Sequence, residues 1–368
     1  MLLDRRLLEN FDWVLFFLVC LLSVIGFFAI YSASISYEKE VFYLQKQILW
    51  FIVGLLVMLA ATTVNYKTLG NFSLYAHLLV IVLLVLVLFF GTGSAISRVR
   101  RWLPIGPFYI QPSEFVKFTL ALYLAHYFRD PRRVGEIGFK KLLWPLVVTI
   151  VPFVLILRQP DLGTSLLLFA IFIPVIFLAG IRYKVIIVSV VSVLLALPFA
   201  WVFLLKPYMK DRILTLINPD RDPLGKGYHI IQSKISVGSG GLWGKGFLEG
   251  TQARLGFLPA RHTDFIFSVF AEEWGFIGSL ALLALYSFFI YWCVRNVGSS
   301  KARSGTILTI GITSIFVFHI LINIGMVLGL FPVVGMPLPF MSYGGSAMIS
   351  MMAGVGILLN IRMRKFEE

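Results

Sequence analysis

The sequence predicts an all-α polytopic membrane protein, a bundle of about ten transmembrane helices with a long extracytoplasmic loop between spans 7 and 8. Three observations carry this. The 368 residues are 59% hydrophobic and 14% charged, with a mean hydropathy of +0.89, far too apolar for an ordinary soluble domain. Apolar runs near the ~20 residues that a bilayer requires recur along the whole chain. The cations between those runs are distributed unevenly.

The expected spans are, in order, residues 13–31, 48–64, 74–90, 113–128, 142–157, 162–179, 185–205, 265–294, 306–330 and 340–361. The first is longer than a signal-peptide core and lacks a small-residue cleavage site, so it reads as a retained helix. With the N-terminus inside, the short cytoplasmic loops hold 16 Lys and Arg, and the short outer loops hold 6. Both termini are therefore expected in the cytoplasm. The chain reads as one membrane domain, 1–368, whose segment 206–264 forms the long outer loop. That segment carries 9 further cations, but long loops follow the charge rule poorly, so these do not bear on orientation.

A net charge of +14 raises the question of nucleic acid. The cations are scattered over membrane loops and form no stripe with aromatic platforms, so membrane lipid headgroups and a pyrophosphate-bearing lipid fit better, and no nucleic acid is expected. Cys20 and Cys293 fall within or at the end of apolar runs, which argues against a disulfide framework. His77, His126, His229, His262 and His319 lack any metal-ligand spacing. A divalent cation, Mg or Mn, held by carboxylates together with a substrate pyrophosphate stays open, because magnesium needs few protein ligands.

Carboxylates inside or bordering a membrane span are costly and are functional candidates by default. They are Glu114, Asp161, Asp264, Glu272 and Glu273. Asp264 stands between a Gly-rich polar segment and a long apolar run, so it either caps that helix or does chemistry at the membrane surface. Asp161, after Gln159-Pro160, has the same two readings. Glu114 and Lys117, at i and i+3, are spaced to pair on one helix. Glu272 and Glu273 read mainly as helix-packing acids. The glycines of 238–246 match neither a P-loop nor a dinucleotide fingerprint. They read as a flexible turn, or as backbone N–H groups facing phosphate oxygens at the interface. Arg98, Arg100 and Arg101 with Trp102 suit either an interfacial belt or bidentate capture of a pyrophosphate.

The string from Leu258 to Phe267, LPARHTDFIF, resembles the signature of the SEDS family of bacterial shape, elongation, division and sporulation proteins, most closely its RodA branch. Ordered matches support it along essentially the whole chain: RWLPIGP from Arg101, QPSEFVK from Gln111, QPDLGTS from Gln159, GSGG from Gly238 and PLPFMSYGGS from Pro337. Ala260 and Trp274 depart from the usual pattern, at positions outside the mechanism. The resemblance implies a glycosyltransferase that polymerises lipid II, the undecaprenyl-pyrophosphate-linked precursor of peptidoglycan, at the outer face of the bacterial cytoplasmic membrane during elongation. It implies Asp264 as the catalytic carboxylate, accepting the proton of the acceptor sugar's hydroxyl, and Arg101, Trp102, Glu114, Lys117, Asp161, Gln232, Ser239, His262, Thr263 and Ser342 as substrate-binding. It also implies a class B penicillin-binding protein, a transpeptidase, as partner within the cell-elongation machinery. A lipid-linked precursor transporter (flippase) and a non-catalytic scaffold for such a transpeptidase are the alternatives. Pro152, Pro174 and Pro198 inside spans suit a transporter, whereas an outer-surface base suits only transfer.

Overall fold

The computed structural model describes residues 9–35, 40–93, 100–106, 108–222, 225–299 and 302–365. Its long helices are α1 (Trp13–Ser34), α2 (Glu40–Thr63), α4 (Ser73–Phe90), α5 (Pro112–Tyr127), α6 (Phe139–Arg158), α7 (Leu162–Ala179), α8 (Tyr183–Phe199), α12 (Ile266–Arg295), α13 (Arg303–Val327) and α14 (Gly345–Met363). A short α3 (Tyr66–Asn71) precedes α4. Among the described residues, nine helices are long and apolar enough to cross a membrane. The remaining expected span, α5, has only 16 residues. It is buried on most sides by other helices, so little of it has to match the hydrocarbon thickness.

The helix ends explain how the bundle is closed. Asp12 caps α1 by accepting from the Leu15 N–H, and also accepts from Arg362 (2.5 Å), Asn296 (3.0 Å) and Trp292 (2.9 Å). That buried carboxylate thus ties the ends of α1, α12 and α14 together on one side. Asn360 of α14 donates to the carbonyls of Thr62 and Val64, both at 2.7 Å, and accepts from the Tyr66 N–H, completing the last turn of α2. Close approach of α14 and α2 needs Gly356, where a Cβ would lie 2.4 Å from the Met58 carbonyl.

The helical class has one addition: a small antiparallel sheet, β1 (Thr92–Gly93), β2 (Arg100–Ile105) and β3 (Phe108–Ile110), in that order. Strand alternation turns Arg101 inward while Arg100 and Trp102 stay exposed. Arg98 lies outside the described residues. The segment 206–264 is more ordered than a loop, holding α9 (Pro207–Ile217), α10 (Lys226–Ser239) and the single turn α11 (Thr251–Arg254).

The eighth expected span is not continuous. At Gly275 the backbone takes φ 63°, ψ −161°, which breaks α12 into 266–274 and 276–295. The lower piece alone reaches roughly 30 Å at 1.5 Å per residue, enough to cross the bilayer. The break frees backbone groups, and the Gly-rich run satisfies them. Lys245 and Gly246 donate to the carbonyls of Glu272 and Glu273, and Phe276 and Ile277 donate to those of Gly241 and Leu242, at 2.9–3.1 Å. The glycines are therefore a fitted backbone clasp, which corrects the flexible-turn reading.

Candidate functional site

Asp264 sits at the end of a turn whose backbone is held from three directions. The His262 carbonyl accepts from the Tyr343 N–H (2.9 Å), that of Thr263 from the Ser342 hydroxyl (2.6 Å), and that of Asp264 from the Asn323 amide (2.9 Å). Arg261, fully buried, donates to the Ala33 carbonyl at the C-terminal end of α1 (2.6 Å). The helix that follows begins at Ile266, with Phe265 at its cap position and no side-chain cap bond. Asp264 is thus not a helix cap. Its carboxylate takes no hydrogen bond from the described residues and faces a cavity of about 290 Å³.

That cavity is lined by Arg101, Arg212, Thr215, His229, Asp264, Phe265 and the 333–335 segment. Burial pushes the Asp264 carboxyl up to about 6, against the opposing pull of Arg101 and Arg212 and with the help of Asp161. Desolvation wins, and the group is poised close to neutrality, where a general base works best. Arg101 is fixed by the Gln159 carbonyl (3.2 Å) and the Pro160 carbonyl (2.5 Å), and lies 3.8 Å from Asp161. Asp161 is the N-cap of α7, accepting from the Thr164 N–H (3.2 Å) and hydroxyl (3.0 Å), so its capping reading holds.

The other expected site residues divide into groups. Thr263 and Ser342 hold the Asp264 turn. His262 packs between Tyr43 and Tyr343, with ring centroids at 4.8 and 5.6 Å. Burial, aided by Arg261, depresses its imidazole to about 4, so it is neutral. Trp102 is exposed and outside the cavity lining; Gln232 is half-buried on α10 and also outside it. Ser239 does not approach Asp264. It belongs to a knot around the buried Glu272, which accepts from Lys245 (2.6 Å), Thr251 (3.0 Å), the Gln252 N–H (3.1 Å) and Ser239 (3.4 Å). Glu273 accepts from Ser32 and from the Leu248 N–H (3.2 Å). Both acids pack the clasp against the upper part of α12, in keeping with their packing reading.

Glu114 and Lys117 do pair, at 2.6 Å, with the Lys117 side chain fully buried. The Ser350 hydroxyl donates to Glu114 (3.0 Å), and Lys117 lies 3.2 Å from His319 Nε2. His319 Nδ1 lies 3.1 Å from the Pro337 carbonyl, which sets the tautomer: Nδ1–H donates and Nε2 accepts from the ammonium. The pair therefore braces the segment containing Gly335, which faces Asp264, rather than lining the cavity itself. In a cycle of Glu114→Gln and Lys117→Met, each single change is expected to cost about 3–5 kcal/mol by stranding a buried charge, and the double change less than their sum. Thermal melts of the four proteins check this; additive losses would mean the pair does not couple.

Arg212, His229 and Asn323 were not singled out as site residues. Arg212 is one of the nine cations of the long segment, which the charge rule does not sort. The helical spacing of 207–217 was the signal available for it. Among the described residues, no cluster of three His, Cys, Asp or Glu could hold a metal ion.

The arrangement is that of an integral membrane protein with a buried-acid site at one end of its helix bundle, flanked by two guanidinium groups. The family model of the FtsW/RodA/SpoVE cell cycle proteins matches residues 12–367, and the chain belongs to that family. It is 41% identical to the peptidoglycan glycosyltransferase MrdB of Escherichia coli K12 over 340 residues, 91% of this chain and 90% of that one. Its fold matches a chain of a peptidoglycan synthase complex solved to show the coordination of polymerization and crosslinking. The TM-score is 0.83 with 30% identity, over 97% of this chain and 99% of that one. It also matches the rod shape determining protein RodA of Thermus thermophilus, with TM-score 0.71 and 26% identity over 97% and 98% of the two chains.

Proposed function

We propose that this chain is a peptidoglycan glycosyltransferase of the elongation type that polymerises lipid II at the outer face of the cytoplasmic membrane, with both termini inside. Its relatives' names support the activity, and the free carboxylate of Asp264 between Arg101 and Arg212 supports the mechanism. The acceptor sugar's 4-hydroxyl attacks the anomeric carbon of the donor, Asp264 takes its proton, and the C–O bond to undecaprenyl pyrophosphate breaks with inversion. The pyrophosphate is already a good leaving group, so the two guanidinium groups suffice to take up its charge. If a divalent cation arrives with the pyrophosphate, Asp264 and Asp161 are its nearest carboxylates. Glu114 and Lys117 act as positioning residues through His319. Neither transport nor scaffolding gives this carboxylate a task.

The partner in this reading is a class B penicillin-binding protein. Leu280, Ala284, Ser287 and Tyr291 form a stripe on the lower part of α12 that is exposed rather than packed in the bundle, which supports a helix docking there.

The test is chain extension from lipid II by the purified protein across pH. The rate is expected to rise with pH, reach half its plateau near 6 as Asp264 ionises, and level off above 7. A profile flat from pH 5 to 8 would remove Asp264 as the base, and absence of product under all conditions would remove the activity.

A further inference from the structure

We infer that His229 is a substrate-contacting residue, which holds an uncharged hydrogen-bonding group of the sugar beside Asp264. The inference rests on the glycosyltransferase reading and adds a specificity contact to it.

His229 lines the same cavity as Asp264, Arg101 and Arg212. Its ring is stacked on Phe265, the residue after Asp264, with centroids 5.9 Å apart and planes at 9°. Its Nδ1 is buried and takes no hydrogen bond from the described residues. Buried polar atoms in folded proteins are nearly always paired, and an exception at the wall of a cavity is most simply a partner still to come. The imidazole is also held in place. One turn further along α10, Ser233 donates to the Val327 carbonyl (2.7 Å) and contacts the Ser268 hydroxyl (2.9 Å), and Ser236 donates to the Ser268 carbonyl (3.1 Å). These bonds lock α10 to α12 and α13.

The charges divide the labour. Arg101 and Arg212 are the cations facing the cavity and Asp264 its acid, with Asp161 behind Arg101. Burial moves His229 below the usual imidazole range, so at neutral pH it carries no charge. A neutral imidazole adds little to two guanidinium groups in holding a pyrophosphate. The ring nitrogen that takes no bond from the described residues instead suits a hydroxyl or acetamido group of the saccharide, and Phe265 keeps the ring plane fixed while that bond forms.

The experiment compares His229→Phe, which keeps a flat ring on Phe265 but has no nitrogen, with His229→Asn, which keeps a hydrogen-bonding group near Nδ1. The Phe variant is expected to melt with the wild type and to lose about tenfold in kcat/KM, the size of one hydrogen bond, with Asn recovering most of it. The pH midpoint set by Asp264 should be the same in all three proteins. Thermal-shift titration should show weaker binding of lipid II to the Phe variant but unchanged binding of undecaprenyl pyrophosphate, which lacks the sugar. Wild-type kcat/KM in the Phe variant would overturn the assignment. So would equal weakening toward both lipids, or a pH midpoint that moves with the substitution, which would make the ring a phosphate ligand or a proton carrier instead. If the wild type binds lipid II but makes no glycan, the polymerase reading fails while the binding comparison still reads the His229 contact.

Discussion

Asp264→Asn is expected to lower the rate of glycan extension by at least ~10²-fold, the scale of a lost general base, while the protein unfolds no earlier than the wild type. The amide keeps the shape of the carboxyl group but cannot take a proton. Nothing is lost in packing, because the carboxylate caps no helix and takes no hydrogen bond from the described residues. Stability should even improve slightly above pH 6, and the sign follows from linkage. In the folded protein the carboxyl holds its proton up to about 6, whereas in the unfolded chain it releases it near 4. Stability is therefore lost as pH rises from about 4 to about 6, and the uncharged amide escapes that loss. Melting curves and extension rates at pH 7.5 check both halves. Near-normal product, or a clear drop in melting temperature, would return Asp264 to a structural role.

Gly275→Ala is expected to destabilise the protein by about 3 kcal/mol or more and to abolish extension with it. At φ 63°, ψ −161° the backbone lies where essentially only glycine goes, at a cost of order 1–3 kcal/mol for another residue. A Cβ there would also lie 2.2 Å from the Gly244 nitrogen, which is backbone and cannot swing aside. Glu272, Glu273 and the Gly-rich clasp would have to separate, releasing bonds that the break in α12 leaves with no other partner. Gly238→Ala is the control, since its Cβ would meet nothing within 4 Å. The comparison is the melting temperature of the two variants in the same detergent. Equal melting would mean the clasp contributes little.

Much of the fold could be read from apolar run length, because a bilayer demands long helices and the sequence must display them. What escaped reading was whatever depends on backbone conformation. The glycines at 241, 244 and 246 look like a hinge by composition, yet all three have positive φ and fit against a break that a hydropathy window averages away. The β2 to β3 strand pair escaped for a similar reason, since Pro104 and Gly106 within it read as loop. At the site, Asp264, Arg101 and the Glu114–Lys117 pair were legible because charge near a span is costly and therefore conspicuous. Arg212 and His229 were not, because their place in the cavity depends on how α9 and α10 fold back over the bundle. The upward shift of Asp264 was not legible either, because it comes from burial, which the sequence does not display.

α8 has a consequence of a mechanical kind. Of its residues only Val185 is buried, so almost no side-chain packing fixes its height or tilt. The match between its apolar length and the bilayer is the constraint that this leaves. The chain leaves α8 through a π-helical turn at Ala200–Leu204 and enters α9, which carries Arg212 to the cavity wall. α8 is thus joined to the cavity wall through α9, so bilayer thickness is expected to reach the charge balance of the site; equal extension rates in bilayers of two thicknesses would mean that the bundle alone holds Arg212.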